Sequence, residues 1–389
     1  MSDKTGIAWT DASWNPVTGC TKVSQGCKHC YAEREWARLT ANTKATAYYG
    51  RAFTDVACHE DRLDQPLRWS KPRMIFVNSM SDLFHEDVPD EFIDRVFAVM
   101  ALAEKHTFQV LTKRPERMRR WFDVGHDNRE HAVGQAMREI AASRGGDDAG
   151  LPEWPLPNVW LGVSIEDQTT ADERIPLLLQ TPATVRWVSA EPLLGAVDLE
   201  RVAWPNKCGH RVDVLRGGYW NKAHCIALGP SADLGEAKGG FTNHSDFPAT
   251  LDWIVCGGES GGPKARPMHP DWAEDLQSQC EEAGIPFFFK QWGEWLPVNQ
   301  MTDVEIGELH RSNRIAKNGE DQFAMDEIFG THCTVPATVV GTDGSCLAVT
   351  DPMAFRTGRG GMTTFRVGAR KAGCTLNGEV RQDWPAYEG

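Results

Sequence analysis

Three cysteines near the start of the chain, Cys20, Cys27 and Cys30, are the residues best suited to chemistry. Six residues separate the first two and two separate the last two, so the three thiols lie close along the chain. Three thiolates can hold three irons of a [4Fe–4S] cluster and leave the fourth iron open, whereas a closed structural zinc site takes four protein ligands. An open iron could bind a small molecule, so the motif indicates chemistry rather than architecture.

Polar residues stand where several short apolar runs of the chain end. In βα barrels the reacting groups gather where strands end and loops begin, so we expect these residues to share one polar mouth. Glycines also let a backbone approach a ligand, and their exposed N–H groups can bind an anion. Gly257–Gly262 is a candidate for such a site. The alternative explanations are solvated loops or helix caps for the polar residues, and a tight turn without a ligand for Gly257–Gly262. The candidate mouth residues are Ser79, Ser81, Asp82, Lys113, Ser164, Glu166, Ser189, Glu191, Gly257, Gly258 and Glu259.

The stretch Lys113–Arg120 carries five cations in eight residues. Such runs usually form a solvated helix face. Beside the predicted mouth of an acidic protein, this one is also the best candidate for holding a phosphate or carboxylate. The formal net charge of -13 argues against a broad basic surface that coats nucleic acid, while it permits a local basic patch.

The elements that position these residues are predicted by hydrophobic pattern. Continuously apolar runs predict parallel strands covered on both faces at Met74–Asn78, Phe108–Thr112, Val159–Ser164, Val185–Ser189, Trp253–Cys256 and Pro286–Lys290, with Ile7–Val17 as a candidate first strand. Helical spacing predicts helices over Glu91–Lys105, Asp172–Gln180 and Pro270–Ala283. The alternation predicts an α/β fold, a partial TIM-like (β/α) barrel of about six or seven parallel strands with insertions and a C-terminal α+β extension.

Breaks in this alternation divide the chain. We expect residues 1–295 to form the barrel, with insertions over about 124–157 and 200–249, and residues 296–389 to form an extension that helps enclose a substrate. The second insertion holds a possible zinc site, although its spacing matches no common zinc finger. The candidate ligands there are Cys208, His210, His224 and Cys225. The isolated cysteines are expected to be buried thiols, namely Cys58, Cys256, Cys280, Cys333, Cys346 and Cys374.

The composition favours a protein of the cytoplasm with no membrane partner. The chain has no run of eighteen apolar residues, and its N-terminus lacks the basic and then apolar segments of a signal peptide. Eleven cysteines without an export signal fit a reducing compartment, where clustered thiols more often bind metal than form disulfides.

The motif Cys20, Cys27, Cys30 followed by Tyr31, on a loop after a first strand, resembles that of the radical S-adenosylmethionine (SAM) superfamily. The resemblance implies a [4Fe–4S] cluster on the first loop of a partial βα barrel, with the free iron chelating the amino and carboxylate groups of SAM. Reductive cleavage then gives a 5′-deoxyadenosyl radical that abstracts hydrogen from a substrate. Most of that superfamily has three residues between the first two cysteines, and this chain has six.

The same resemblance implies contacts by barrel position. Ser79, Ser81 and Asp82 would meet the amino group of SAM, and Ser164, Glu166, Ser189 and Glu191 would meet its ribose. In that superfamily a Gly-Gly-Glu motif usually follows the second strand. In this chain Gly257-Gly258-Glu259 follows the sixth, so its role is not transferred.

More closely, the chain resembles a phage- and prophage-associated family of unknown function with a three-Cys motif. The matching stretches are Trp14–Tyr31, Ser79–His85, Leu111–Arg117, Gly162–Glu166, Ser189–Leu194, Gly257–Met268, Lys290–Trp295 and Val367–Lys371. They cover both ends of the chain and every predicted strand, and they leave out the two insertions. The resemblance supplies no substrate.

We therefore predict a radical SAM-type enzyme that cleaves SAM and abstracts hydrogen from an unidentified substrate. Its partners would be SAM, a reductant protein and, from the phage-like resemblance and the basic stretch, a nucleotide or nucleic acid. The alternative is a non-catalytic nucleic-acid module in which the three cysteines and His29 close a zinc site and Lys113–Arg120 contacts phosphate. A third possibility is a degenerate barrel that binds a nucleotide without radical chemistry.

Overall fold

Seven parallel strands form one curled sheet in the computed structural model, which describes residues 5–123, 126–146, 150–205, 211–220, 241–242, 249–317 and 321–386. The strands are β1 (Ala12–Trp14), β2 (Met74–Val77), β3 (Thr107–Thr112), β4 (Val159–Ile165), β5 (Val185–Ala190), β6 (Trp253–Gly257) and β7 (Phe287–Gln291). Sheet order follows chain order, and β1 and β7 are the two edges. The sheet is therefore a half-barrel, and the predicted partial α/β barrel is confirmed.

Helices connect the strands and pack on the outer face of the sheet. Their bounds are α1 (Tyr31–Thr40), α2 (Asp90–Leu102), α3 (Pro115–Phe122), α4 (His126–Ser143), α5 (Gln168–Leu179) and α6 (Pro270–Ala283). The predictions for α2 and α6 are close to these bounds. Helix α5 begins earlier than predicted because Asp167 caps it, its side chain accepting from the backbone N–H of Thr170 at 2.9 Å.

An aromatic layer fills the inside of the curled sheet. It consists of Trp9, Trp160, Trp187, Trp253 and Phe288, with four flanking apolar side chains. Gly162 makes room for it, since a Cβ there would lie 2.5 Å from the Trp187 ring. Because successive side chains alternate between the faces of a strand, the next inward positions after Trp187 and Phe288 are Ser189 and Lys290. Polar side chains thus stand above an apolar floor.

The end of the chain returns to the edge of the half-barrel. The Phe289 N–H donates to the Arg381 carbonyl at 2.6 Å, and the Asp383 N–H donates to the Phe287 carbonyl at 3.0 Å. Trp384 then stacks on Trp253 with ring centroids 5.0 Å apart. The last residues therefore complete the barrel edge along β7.

Truncation of this last aromatic ring is expected to weaken the barrel. Trp384→Ala should lower the free energy of unfolding by about 2 kcal/mol, because Trp253 loses its stacking partner. The effect is smaller than for a fully buried ring, because Trp384 is partly exposed. Urea denaturation measures the change, with Phe355→Ala, an exposed ring in the extension, as the control expected to stay within about 0.5 kcal/mol of wild type. Equal effects of the two substitutions would contradict the closing role of Trp384.

Smaller elements lie near the start of the barrel, in the second insertion and in the extension. They are the pair Val17–Thr18 with Ala57–Cys58; the sheet of Val202–Ala203, Arg211–Val212, Tyr219–Trp220 and Phe241–Thr242; the sheet of Leu296–Pro297, Met362–Phe365, Ala337–Val340 and Cys346–Leu347; the pairs His310–Arg311 with His332–Cys333 and Thr375–Leu376 with Glu379–Val380; and helices α7 (Asp303–Glu308), α8 (Gln322–Phe329) and α9 (Ala369–Ala372). The extension docks on α6, where Trp272 Nε1 donates to the Thr342 carbonyl at 3.0 Å.

The expected burial of the isolated cysteines needs revision, and the candidate zinc site lies outside the described residues. Cys256 and Cys280 are buried as predicted, but Cys58, Cys333 and Cys374 are partly exposed and Cys346 is exposed. These four lie in the small two-stranded elements and the extension, where little mass covers them. The zinc candidates Cys208, His210, His224 and Cys225 lie outside the described residues.

None of the helices in the described ranges combines the length and apolarity that crossing a bilayer requires.

Candidate functional site

A cavity of about 480 Å³ lies at the C-terminal ends of the strands. Its wall includes the three cysteines, Cys20, Cys27 and Cys30. It also includes the predicted mouth residues Ser79, Ser81, Asp82, Lys113, Ser164, Ser189, Glu191, Gly258 and Glu259. The structure therefore brings the predicted site residues to one cavity, except for Glu166 and Gly257.

The cysteines belong to a segment of residues 20–30, which we call the cysteine loop. Residues Gln25–Cys27 form a single 3₁₀ turn, and Cys30 is the residue before α1. Burial raises the pKa of Cys20 to about 11; the charge of Asp82 adds to this rise and Arg114 opposes it. Burial also raises the pKa of Cys30. Metal binding at such thiols releases their protons.

Arg114 and Asp82 fix the first end of the cysteine loop. Arg114 Nη2 donates to the carbonyl and the hydroxyl of Thr21 at 3.0 and 2.9 Å, and its Nη1 lies 3.6 Å from Cys20 Sγ. Asp82 accepts from Arg114 Nη1 at 3.2 Å and from the Thr112 hydroxyl at 2.7 Å. These donors occupy the Asp82 carboxylate. Asp82 therefore holds Arg114 in place beside Cys20.

Glu166 lies below the cavity wall and is fully buried. Lys113 Nζ donates to Ser164 Oγ and to Glu166 Oε1, both at 2.5 Å, and Arg174 Nη1 donates to Glu166 Oε2 at 3.2 Å. Burial raises the pKa of Glu166, but the two cations outweigh burial and leave the pKa below its ordinary value. The predicted contact of Glu166 with a ribose in the cavity is therefore corrected: this carboxylate is enclosed by the protein's own groups.

The basic stretch is neutralised within the chain. Its ion pairs are Lys113–Glu166, Arg114–Asp82, Arg117–Asp90, Arg119–Asp123 and Arg120–Glu86. Arg114 and Arg117 are also buried, because α3 packs this face of the stretch into the core. Arg119 and Arg120 remain exposed, so the binding of a phosphate or carboxylate by this stretch stays a prediction.

A partly exposed ion pair lies in the wall formed by β5 and β7. Lys290 Nζ is 2.7 Å from Glu191 Oε1, and the Ser189 hydroxyl donates to Glu191 Oε2 at 3.1 Å. All three residues line the cavity. Since Lys290 retains exposed surface there, a ligand carrying carboxylate or hydroxyl groups can exchange hydrogen bonds with this pair.

The glycines after β6 serve close packing of the protein's own backbone. A Cβ on Gly258 would lie 2.0 Å from the Trp292 carbonyl oxygen, and one on Gly293, whose φ is +80°, would lie 2.3 Å from the Glu259 carbonyl oxygen. A Cβ on Gly257 would lie 3.0 Å from Glu191 Oε1. The loops after β6 and β7 therefore interlock, and the predicted anion cradle is corrected for Gly257 and Gly258.

Sequence reasoning missed several residues that hold the cavity wall. The Ser24 hydroxyl donates to Glu166 Oε1 at 2.8 Å, and Arg266 Nη2 donates to the Gln25 carbonyl at 2.9 Å. Ser24 and Arg266 lie within the matching stretches Trp14–Tyr31 and Gly257–Met268, but their partners are 142 and 241 residues away, so the sequence does not indicate these contacts. Among the described residues, none beyond Gln291 lines this cavity, and that the extension helps enclose a substrate stays a prediction.

Within the described ranges, no group of three or more His, Cys, Asp or Glu side chains could hold a metal ion as placed.

The comparison that bears on the whole chain is with a family described as "Protein of unknown function (DUF5131)", whose model matches residues 4–385. The chain belongs to this family. No curated protein and no solved structure matches the chain. Membership of a family of unknown function over most of the chain is thereby confirmed, while the links to phage and to radical SAM enzymes stay predictions.

Proposed function

We propose that the protein is a radical SAM-type enzyme, with a [4Fe–4S] cluster held by Cys20, Cys27 and Cys30 and with SAM bound in the adjoining cavity. The observation that carries this proposal is that the three cysteines and the polar strand ends line one cavity at the mouth of a half-barrel. Reacting groups in βα barrels gather at this end of the strands.

The donor set fits a cluster better than a single ion. Three thiolates suffice for three irons, while a lone zinc ion takes four ligands at short range. Thiolates that bind different irons stand farther apart than the ligands of one ion. The three cysteines line one cavity wall, as the ligands of such a cluster would.

The cavity also suits the chemical groups of SAM. Its polar wall offers the carboxylate of Glu191, the ammonium of Lys290 and the hydroxyl of Ser164, while Trp9 and Phe76 give an apolar surface for a planar base. A volume of about 480 Å³ lies within the range of small-molecule sites. A cluster held by Cys20, Cys27 and Cys30 would supply the electron for reductive cleavage of SAM. The side chains of the cavity wall would bind and orient SAM.

The substrate remains a nucleotide or nucleic acid in this proposal, on the phage-like resemblance and the exposed end of the basic stretch. Arg119 and Arg120 pair at the surface with the exposed carboxylates of Asp123 and Glu86. Because such surface pairs contribute little, both cations can still contact a phosphate. The zinc-binding nucleic-acid module keeps the same candidate contact.

Anaerobic reconstitution with iron and sulfide tests the metal class. We expect about four irons and four sulfides per chain in a brown, oxygen-sensitive protein. One zinc per chain with no sulfide would favour the zinc alternative, and a colourless protein without iron would contradict the proposal.

A further inference from the structure

The cysteine loop is tied to the barrel at its centre, between its first two cysteines. The Ser24 hydroxyl donates to Glu166 Oε1 at 2.8 Å. Gly26 lies directly against the same carboxylate, since a Cβ there would be 2.3 Å from Oε1 and 2.6 Å from Cγ. Both contacts fall within the six-residue gap between Cys20 and Cys27.

Glu166 offers this loop an immobile charged contact at the end of β4. Its carboxylate accepts from Lys113 and Arg174, and its backbone N–H donates to the Thr170 hydroxyl at 2.8 Å. The side chain is fully buried, so the Ser24 hydroxyl takes the place that water would otherwise fill. A charge-assisted hydrogen bond of this kind is stronger than one between neutral groups.

We propose that Glu166 is a positioning residue, which fixes the cysteine loop so that its thiols face the cavity. The inference rests on the proposed function for the identity of the group that the thiols hold. A longer loop has more conformations to lose when its ends are fixed, and an internal anchor removes many of them beforehand. The anchor thus accounts physically for how a six-residue gap can still present Cys20 and Cys27 together.

Two other side chains also hold the loop without replacing this contact. Arg114 binds Thr21, next to Cys20, and Arg266 binds the carbonyl of Gln25, between Ser24 and Gly26. Glu166 differs from both, because its buried carboxylate contacts Ser24 and Gly26 of the loop directly. Loss of that contact should loosen the loop while the barrel stays folded.

Limited trypsin digestion of the metal-free protein tests the contact directly, by cleavage after Lys22 and Lys28 in the cysteine loop. Gly26→Ala should be cleaved there about tenfold faster than wild type, which is the change that about 1.4 kcal/mol makes in a local opening equilibrium. Ser24→Ala should be cleaved about threefold faster by the same reasoning, because it loses one hydrogen bond and gains no clash. Gly307→Ala, where a Cβ meets nothing within 4 Å, is the control expected to match wild type.

The double variant Gly26→Ala with Glu166→Ala identifies the partner. A Cβ on Gly26 would lie 2.3 to 2.7 Å from Oε1, Cγ and Cδ of Glu166, all of which alanine at position 166 removes. Gly26→Ala should therefore add little cleavage in the Glu166→Ala background, a non-additivity typical of residues in contact. Melting temperatures of the metal-free variants check that the barrel remains folded. After reconstitution, Ser24→Ala and Gly26→Ala should also lose iron to a chelator faster than wild type.

Cleavage of Gly26→Ala at the wild-type rate would overturn the positioning role of Glu166. Equal effects of Gly26→Ala in both backgrounds would overturn it as well. Failure of the proposed function has a different signature: wild-type protein would take up no iron while the cleavage pattern of the variants persisted.

Discussion

Cys27→Ser is expected to prevent the proposed iron–sulfur cluster from forming when the protein is reconstituted. Iron and sulfide should fall from about four per chain to below one, and the absorbance near roughly 400 nm should disappear. The reason is ligand count, because two remaining thiolates cannot hold three corners of a cluster. Cys20→Ser and Cys30→Ser should behave alike, since all three residues line the same cavity.

Cys346→Ser is the matched control for the three cysteine variants. Cys346 is exposed, lies in the extension and is outside the cavity wall, so its replacement should leave the iron content at the wild-type value. A Cys27→Ser protein that retains the full complement of iron and sulfide would contradict the assignment of the ligands. Melting temperatures of the metal-free forms separate loss of ligand from loss of fold.

Gly258→Ala is expected to destabilise the barrel mouth strongly, although it adds only one methyl group. The added Cβ would lie 2.0 Å from the Trp292 carbonyl oxygen, and backbone on both sides leaves no flexible side chain to move away. The free energy of unfolding should fall by about 3 kcal/mol, at the upper end for overpacking. Urea denaturation of the metal-free protein measures the change.

Gly307→Ala serves as the control for this measurement too. Its Cβ would meet nothing within 4 Å and it lies in helix α7, so alanine should stabilise the protein slightly or leave it unchanged. If Gly258→Ala unfolded at the wild-type urea concentration, the interlocked loops after β6 and β7 would be contradicted.

The sequence predicts the barrel because its strands are marked by continuous apolar runs. Six runs from Met74 onward correspond to observed strands within one or two residues at each end. The first strand is harder to predict: the run Ile7–Val17 shrinks to Ala12–Trp14, and Val17–Thr18 pairs instead with Ala57–Cys58. Residues at strand ends can be grouped from sequence, since parallel strands deliver their C-terminal ends to one edge.

Roles within the site cannot be predicted in the same way, because they depend on contacts between distant parts of the chain. Lys113 and Glu166 both looked like ligand-binding residues by position, yet they pair with each other, and Glu166 contacts Ser24 across 142 residues. The glycines at Gly257 and Gly258 suggest an anion cradle by composition, whereas the close approach that they permit is to Glu191 and Trp292. Glycines in the sequence indicate that a backbone segment approaches another group closely. The identity of that group follows only from the folded structure.

The most direct test of the radical SAM assignment is the formation of 5′-deoxyadenosine from SAM by the anaerobically reconstituted protein under dithionite. We predict that wild-type protein forms 5′-deoxyadenosine and methionine in equal amounts and that Cys27→Ser forms neither. A wild-type protein that carries a full cluster and binds SAM, yet forms no 5′-deoxyadenosine, would contradict the assignment and leave a barrel that binds a nucleotide without radical chemistry.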